Sequence, residues 1–315
     1  MKAIFRKIVK IALQPINGLV MRTNWYRNVI VEEGKFPIET WYRKHIERNY
    51  DIVNIGSSSA VYAFNYEGLP IKAFNWALQP QSMEYSYRVL KNFHSIIRQN
   101  GIVLIPFSPF SGLSVTGKWS EKMDDRYFGI LDSTLIDNYN KVAKRRLQPL
   151  LSYPLIAIKR LIKDEKAKYF PNCSVCKDEE DFENDAKRWV ICWQKEFNID
   201  NLEYPLSNEN VKGRSCRMDI MKEMINFCTE RGYQPVLVMP PLYSSLSSLL
   251  PSHFRENYIN SFIRELQIST NVPYLDYMDD IRFSSKEFFY NSFFLNEKGA
   301  KKFTKQVLLD LGVNK

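Results

Sequence analysis

The chain has 315 residues, 45% hydrophobic and 25% charged, an ordinary globular balance with enough apolar mass for a real core. Its formal net charge of +9 suits an anionic membrane surface or nucleic acid, yet no nucleic-acid-binding signature accompanies it, and a solvated basic surface accounts for it equally. Five cysteines, an odd number in so long a chain, exclude a disulfide framework and point to a reducing compartment.

Residues 1–50 form a basic N-terminal arm. On a helix Ile4, Phe5, Ile8, Val9 and Ala12 share one face, while Lys2, Arg6 and Lys10 line another. Lys7 adds a further cation, and no acid stands among the first thirty residues. The pattern over residues 1–13 is that of a helix lying in a membrane interface, and equally of an amphipathic helix packed on the domain. The segment lacks the long apolar core and small-residue cleavage site of a signal peptide. No run of about 20 apolar residues suited to crossing a bilayer occurs.

The stretch from Asp51 to Ser59 is the most informative. The apolar run Ile52-Val53-Asn54-Ile55 reads as a buried parallel strand that climbs to Gly56 and breaks into Ser57, Ser58 and Ser59. Gly56 permits a sharp turn at the strand's carboxyl end, where open α/β sheets bind their ligands. Ser58 is thereby positioned like a nucleophile. Ile71–Asn75 reads as a second strand. Glu84–Gln99 reads as a helix with Val89, Phe93, Ile96 and Ile97 at core spacing, ended by Gly101, and Ile102–Pro106 as a third strand.

Residues 111–212 break this rhythm and read as a mostly helical insertion on the sheet's carboxyl side, forming a lid or a partner surface. Lys141–Arg146 is basic, Leu147–Ile158 is apolar and Lys159–Lys187 is mixed in charge. Trp189 and Trp193 stand at helical spacing, which favours core over a sugar platform. Cys173-x-x-Cys176 is the one close cysteine pair, and Cys192, Cys216 and Cys228 do not supply the second pair a structural zinc would want. No metal and no cofactor is expected.

The rhythm resumes with a helix over Arg217–Arg231 closed by Gly232, a strand over Pro235–Met239 stopped by Pro240-Pro241, and a helix over Phe254–Ser269. A short strand over Val272–Asp276 and a last helix over Asn296–Leu311, capped by Asn296, complete the chain. Strands alternating with helices imply a parallel sheet covered on both faces.

With these residues in place the chain resembles the SGNH (GDSL-type) hydrolase superfamily, specifically the SGNH-like proteins associated with bacterial surface-polysaccharide biosynthesis. The matching blocks are Ile55-Gly56-Ser57-Ser58, Asn75-Trp76-Ala77-Leu78-Gln79-Pro80-Gln81-Ser82 and Pro240-Pro241-Leu242-Tyr243. The most specific is Phe289–Ala300, which is similar to the family pattern F-Y-D-x-x-H-L-N-x-x-G-A. The expected fold class is α/β, a flavodoxin-like three-layer α/β/α arrangement with a five-stranded parallel sheet. Residues 51–110 and 213–315 would form it, with 111–212 inserted.

The resemblance implies a serine nucleophile at Ser58 and an Asp-x-x-His dyad near the C-terminus. Asn291 and Phe294 stand in the places of that acid and base. A serine hydroxyl needs an adjacent base to become nucleophilic, and neither an amide nor a phenyl ring accepts its proton. The family's second-block Gly has no counterpart between Asn75 and Ser82, and its third-block Asn falls where Pro106-Phe107-Ser108 stands. Losing one oxyanion donor costs about a hundredfold or more in rate.

Of the three histidines, His45 precedes the first strand and His94 lies in the helix after the second. His253, in the loop after the fourth strand, is the one candidate for a substitute base. Gly56, Ser57, Asn75 and Ser108 are expected to line the cleft. Asp276, Asp279 and Asp280 would orient a base or a sugar hydroxyl, or simply cap turns.

Two functions follow as expectations. One is a non-catalytic protein of cell-surface glycan biosynthesis that binds a carbohydrate or acylated glycan. The other is an active carbohydrate esterase or O-acyltransferase using Ser58 with a relocated base. Either would be cytoplasmic, free or held at the cytoplasmic face of the membrane through residues 1–13, and neither involves nucleic acid.

Overall fold

The structure, a computed structural model, describes residues 2–31, 48–113, 121–164, 173–203 and 205–313. Five strands are present: β1 (Tyr50–Asn54), β2 (Ala73–Asn75), β3 (Ile97–Pro106), β4 (Gln234–Met239) and β5 (Tyr274–Asp276). The principal helices before the middle of the chain are α1 (Lys2–Met21), α2 (Ser58–Ala63), α3 (Met83–Phe93) and α4 (Tyr139–Leu147). They are followed by α5 (Pro154–Ile162), α6 (Glu179–Phe197), α7 (Asn208–Glu230), α8 (Ser261–Thr270) and α9 (Glu297–Asp310). The chain divides into two units. The first joins Met1–Ile46 with Trp119–Asn172, and the second joins Glu47–Lys118 with Cys173–Lys315.

The second unit is the α/β domain. Its strands lie in the order β2-β1-β3-β4-β5 and every pair is parallel. This is the flavodoxin-like order, whose switch point falls between the carboxyl ends of β1 and β3. Apolar runs form the strands because both faces are covered: Ile52, Val53, Val103, Leu104, Leu237 and Val238 are all buried. Phe182 of α6 joins the core cluster that contains Val236 and Val238, so the segment from Cys173 onward packs with the sheet.

One expected element divides differently. The helix expected over Glu84–Gln99 stops at Phe93, a 3-10 turn covers His94–Ile96, and β3 begins at Ile97. Ile96 and Ile97 fit a helical period, but Ile97 pairs with Tyr50 of β1. Gly101 is therefore no helix stop. It follows Asn100, which has φ 59°, at a register shift between Tyr50 and Ile52. A Cβ there would stand 2.5 Å from Ile97 Cγ2 and 2.9 Å from the Arg98 carbonyl oxygen, so a bulge needs glycine.

Other boundaries move outward or inward. α7 starts at Asn208, where the Ser207 side chain accepts from the Asn210 N–H. The stretch before α8 contains a π-helical turn over Arg255–Asn260. Asn296 caps α9 by accepting the Gly299 N–H at 2.9 Å.

The first unit is helical, built around Val20, Trp25, Tyr26, Ile30, Leu150 and Ala157. Polar bolts fix its loops: Asn17 Oδ1 accepts the Leu150 N–H at 3.0 Å, and the Tyr26 hydroxyl donates to the Arg146 carbonyl at 2.6 Å. Asp125 accepts from Arg145 Nε and Nη2, the latter at 2.6 Å. Among the described residues no helix is long and apolar enough to cross a membrane.

Candidate functional site

The carboxyl edge of the sheet gathers the residues singled out from the sequence. Gly56, at φ +127°, occupies a conformation that L side chains rarely adopt, and a Cβ on it would stand 2.8 Å from Ala60 Cβ. That turn starts α2. Ser57 Oγ accepts the Gln81 N–H at 3.1 Å, and Gln81 Nε2 donates to the Gly56 carbonyl at 3.0 Å. Ser58 is the first residue of α2 and is half-buried. No hydrogen bond to its hydroxyl occurs among the described residues.

Tyr62 lies one helical turn beyond Ser58, on the same face of α2. Its ring stacks on Phe294, with centroids 4.5 Å apart and planes 28° apart. The β1-turn-α2 block and the C-terminal block therefore meet. Phe294 is 2% exposed, sits edge-on to Trp189 at 5.4 Å and packs on Phe293 at 4.8 Å. It is a core side chain.

Asn291 is fully buried, and its amide is absorbed by the local fold. Oδ1 accepts the N–H groups of Phe293 and Phe294 at 3.0 and 2.9 Å, and Nδ2 donates to the Ser174 carbonyl at 3.0 Å. Its side chain forms the turn that carries Phe294. Asn75 is used in the same way: Nδ2 donates to the carbonyls of Ala60 and Phe64 at 3.1 and 3.2 Å, and Oδ1 accepts from Asn54 Nδ2 at 2.7 Å. Asn75 thus ties α2 to the sheet.

The neighbouring N–H groups are also spoken for. Trp76 donates to the Asn54 carbonyl at 2.8 Å, Ala77 to Asn75 Oδ1 at 3.0 Å and Leu78 to the Gly56 carbonyl at 3.2 Å. After β3, Phe107 donates to the Val238 carbonyl at 2.8 Å and Ser108 to Ser111 Oγ at 2.8 Å. Ser108 Oγ pairs with Ser111 Oγ at 2.8 Å.

Among the described residues no hydrogen bond joins His253 or His94 to Ser58. His253 is exposed, with Nδ1 3.0 Å from Asn257 Nδ2 and its ring edge-on to Tyr258. His94 lies at the amino end of β3, with Nδ1 3.3 Å from the Tyr233 hydroxyl. Burial and the Arg231 charge lower its pKa. His45 lies outside the described residues. The three aspartates expected near the edge hold turns or ions: Asp276 Oδ1 accepts the Met278 N–H at 3.0 Å, Asp279 pairs with Arg255 at 2.5 Å, and Asp280 accepts the Arg282 N–H at 2.9 Å.

Sequence reasoning passed over two residues that build this region. Asp185 of α6 is 6% exposed and receives the Ser292 N–H at 3.1 Å, the Ser292 hydroxyl at 2.7 Å, Ser174 Oγ at 3.1 Å and Arg188 at 2.5 Å. Nothing distinguished it within a run of mixed charge. Tyr62 did carry a signal, its spacing of four from Ser58. Burial, with the neighbouring Cys173 thiol, raises its pKa well above the usual phenol value. Burial also raises Cys173, while burial with the charges of Asp185 and Asp181 pushes Cys176 up to about 11. Both thiols are therefore protonated near neutral pH. No group of three or more His, Cys, Asp or Glu suited to a metal ion occurs among the described residues.

One partner is left open. Trp189 Nε1 is buried with no acceptor among the described residues. Trp189, Tyr62, Tyr290 and Phe293 are half-buried around it, whereas Trp193 is 6% exposed and stacks on Phe110. Comparison with known protein families and with curated proteins returns no match for this chain.

Proposed function

We propose that the chain is a non-catalytic SGNH-like protein of bacterial cell-surface glycan biosynthesis, whose sheet edge binds a carbohydrate rather than cleaving its ester. The observation that carries this reading is the use of Asn291 and Phe294 in folding. The amide spends its hydrogen bonds on the turn, and the ring fills the space against Tyr62. A serine without a base is a poor nucleophile. The N–H groups of the second and third blocks have internal acceptors, so they offer little to a developing oxyanion.

Binding has its own support. Ligand sites combine apolar and aromatic walls with a few polar groups. The half-buried rings of Tyr62, Trp189, Tyr290 and Phe293 supply such walls.

The experiment measures hydrolysis of p-nitrophenyl acetate and of acetylated oligosaccharides by the native chain and by Ser58→Ala, with calorimetric titration of the same oligosaccharides. Equal background rates in both proteins are expected, together with binding that weakens in Trp189→Phe. Turnover that disappears with Ser58→Ala overturns this reading in favour of an active esterase or O-acyltransferase.

A further inference from the structure

We propose that the helical first unit docks on an anionic phospholipid surface through the outward faces of α5 and of the end of α1. This concerns a face separate from the sheet edge and does not depend on the glycan reading. It rests on the distribution of charge and of exposed apolar side chains between the two units.

The first unit holds 20 Lys and Arg against 10 Asp and Glu, a net +10, while the second holds 24 against 25. The whole basic excess of the chain therefore belongs to a minority of its residues. Exposed apolar side chains follow the same division. Of the fifteen large hydrophobics exposed among the described residues, nine lie in the first unit, on or beside α1, α4 and α5.

α5 shows the pattern most plainly. Its sequence Pro-Leu-Ile-Ala-Ile-Lys-Arg-Leu-Ile buries Ala157 alone among its nine residues. Leu155 is 84% exposed, Ile162 83% and Ile158 50%. At 100° per residue these three fall on one side of the helix, away from Ala157, with Lys159 and Lys163 beside them. A folded monomer does not leave such a stripe in water without a use for it.

α1 packs on α5 within the same small core, and its end repeats the arrangement. Asn17 and Val20 are buried while Ile16 and Leu19 are exposed. No acid stands on α5 or among residues 1–31. The first acid after α5 in the sequence, Asp164, is turned onto the backbone N–H of Asn24 at 2.7 Å and that residue's Nδ2 at 2.9 Å. Apolar stripes bordered by cations and cleared of acids fit an interface of acyl chains beneath anionic headgroups. A helix of nine residues is too short to span a bilayer, so the contact lies on the surface.

The test is co-sedimentation of the full chain with vesicles of phosphatidylcholine alone and of phosphatidylcholine with phosphatidylglycerol, at low and high salt. The variants are Leu155→Asp with Ile162→Asp, and Lys159→Glu, each checked by thermal melting for an unchanged fold. Binding to the anionic vesicles is expected, weakened by salt, with little on the neutral ones. The double variant should lose affinity by about tenfold or more at both salt levels. Lys159→Glu should weaken binding chiefly at low salt. Absence of binding to anionic vesicles, or binding unchanged in the double variant, overturns the proposal. So does a native dimer that the double variant converts to monomer, since a second copy would then cover the face.

Discussion

Asp185→Ala tests how the turn bearing Asn291 and Phe294 is held. The carboxylate is 6% exposed and accepts both the N–H and the hydroxyl of Ser292, itself fully buried. Removing it strands the Ser292 N–H in the interior, at about 1–3 kcal/mol, and removes a charge-assisted hydroxyl bond worth about 1.5–3 kcal/mol. The Arg188 partner is 48% exposed, so water replaces most of that pair and the loss there is about 0–1 kcal/mol. The expected destabilisation is about 2.5–7 kcal/mol, which for a unit of this size lowers the melting temperature by roughly 5–28 °C. Asp185→Asn keeps a carbonyl acceptor for Ser292 and should lose about half as much. Urea unfolding followed by tryptophan fluorescence reads the effect, because Trp189 and Trp193 lie on the same helix as Asp185. An alanine variant within about 0.5 kcal/mol of the native chain would refute the claim that this carboxylate clamps the turn.

Gly56→Ala should cost at least about 2 kcal/mol in the same unfolding assay, since φ +127° and an Ala60 Cβ only 2.8 Å away both oppose a side chain. Burial lowers the His94 pKa in the folded chain, so the unfolded chain takes up the proton first. The stability this group contributes is full above its ordinary value of about 6.5 and declines as pH falls below it. His94→Gln should remove that part of the acid sensitivity, measured as unfolding midpoints across pH 5–8. Thiol titration with a disulfide reagent at pH 8 should give two fast groups, the exposed Cys192 and Cys216. Cys173 and Cys176, raised by burial, should react slowly, and Cys228, pushed up to about 12, only after denaturation.

The sheet was legible because parallel strands buried on both faces leave short, mostly apolar runs that end at a glycine or proline. Ile52–Ile55, interrupted only by Asn54, and Val236–Met239 are such runs, and each is buried. The helix expected to reach Gln99 failed because periodicity sees one chain segment at a time. Ile96 and Ile97 satisfy the helical spacing, but the pairing of Ile97 with Tyr50 and the left-handed Asn100 decide the outcome. The candidate site was half legible. Gly and Ser marked the turn, and the spacing of Asn291 and Phe294 marked the second block. Asp185 gave no signal, because a buried carboxylate and a solvated one look alike within Asp181–Arg188 until partners are known.

Sites that do chemistry hold polar groups ready for a substrate, and the fold bears the cost of leaving them unpaired. Around Ser58 the polar groups are instead paired within the fold. Asn291 is saturated by two N–H groups and a carbonyl, Asn75 by two carbonyls and by Asn54. An imidazole in place of Phe294 would give up the Tyr62 stack and bring polar ring nitrogens among the rings of Tyr62, Trp189 and Phe293. A carboxylate in place of Asn291 would still accept two N–H groups but would face the Ser174 carbonyl with a negative charge. Phe294→His is therefore opposed by packing and Asn291→Asp by electrostatics. The same bonds leave this edge a well-satisfied wall whose amides are already committed to the fold.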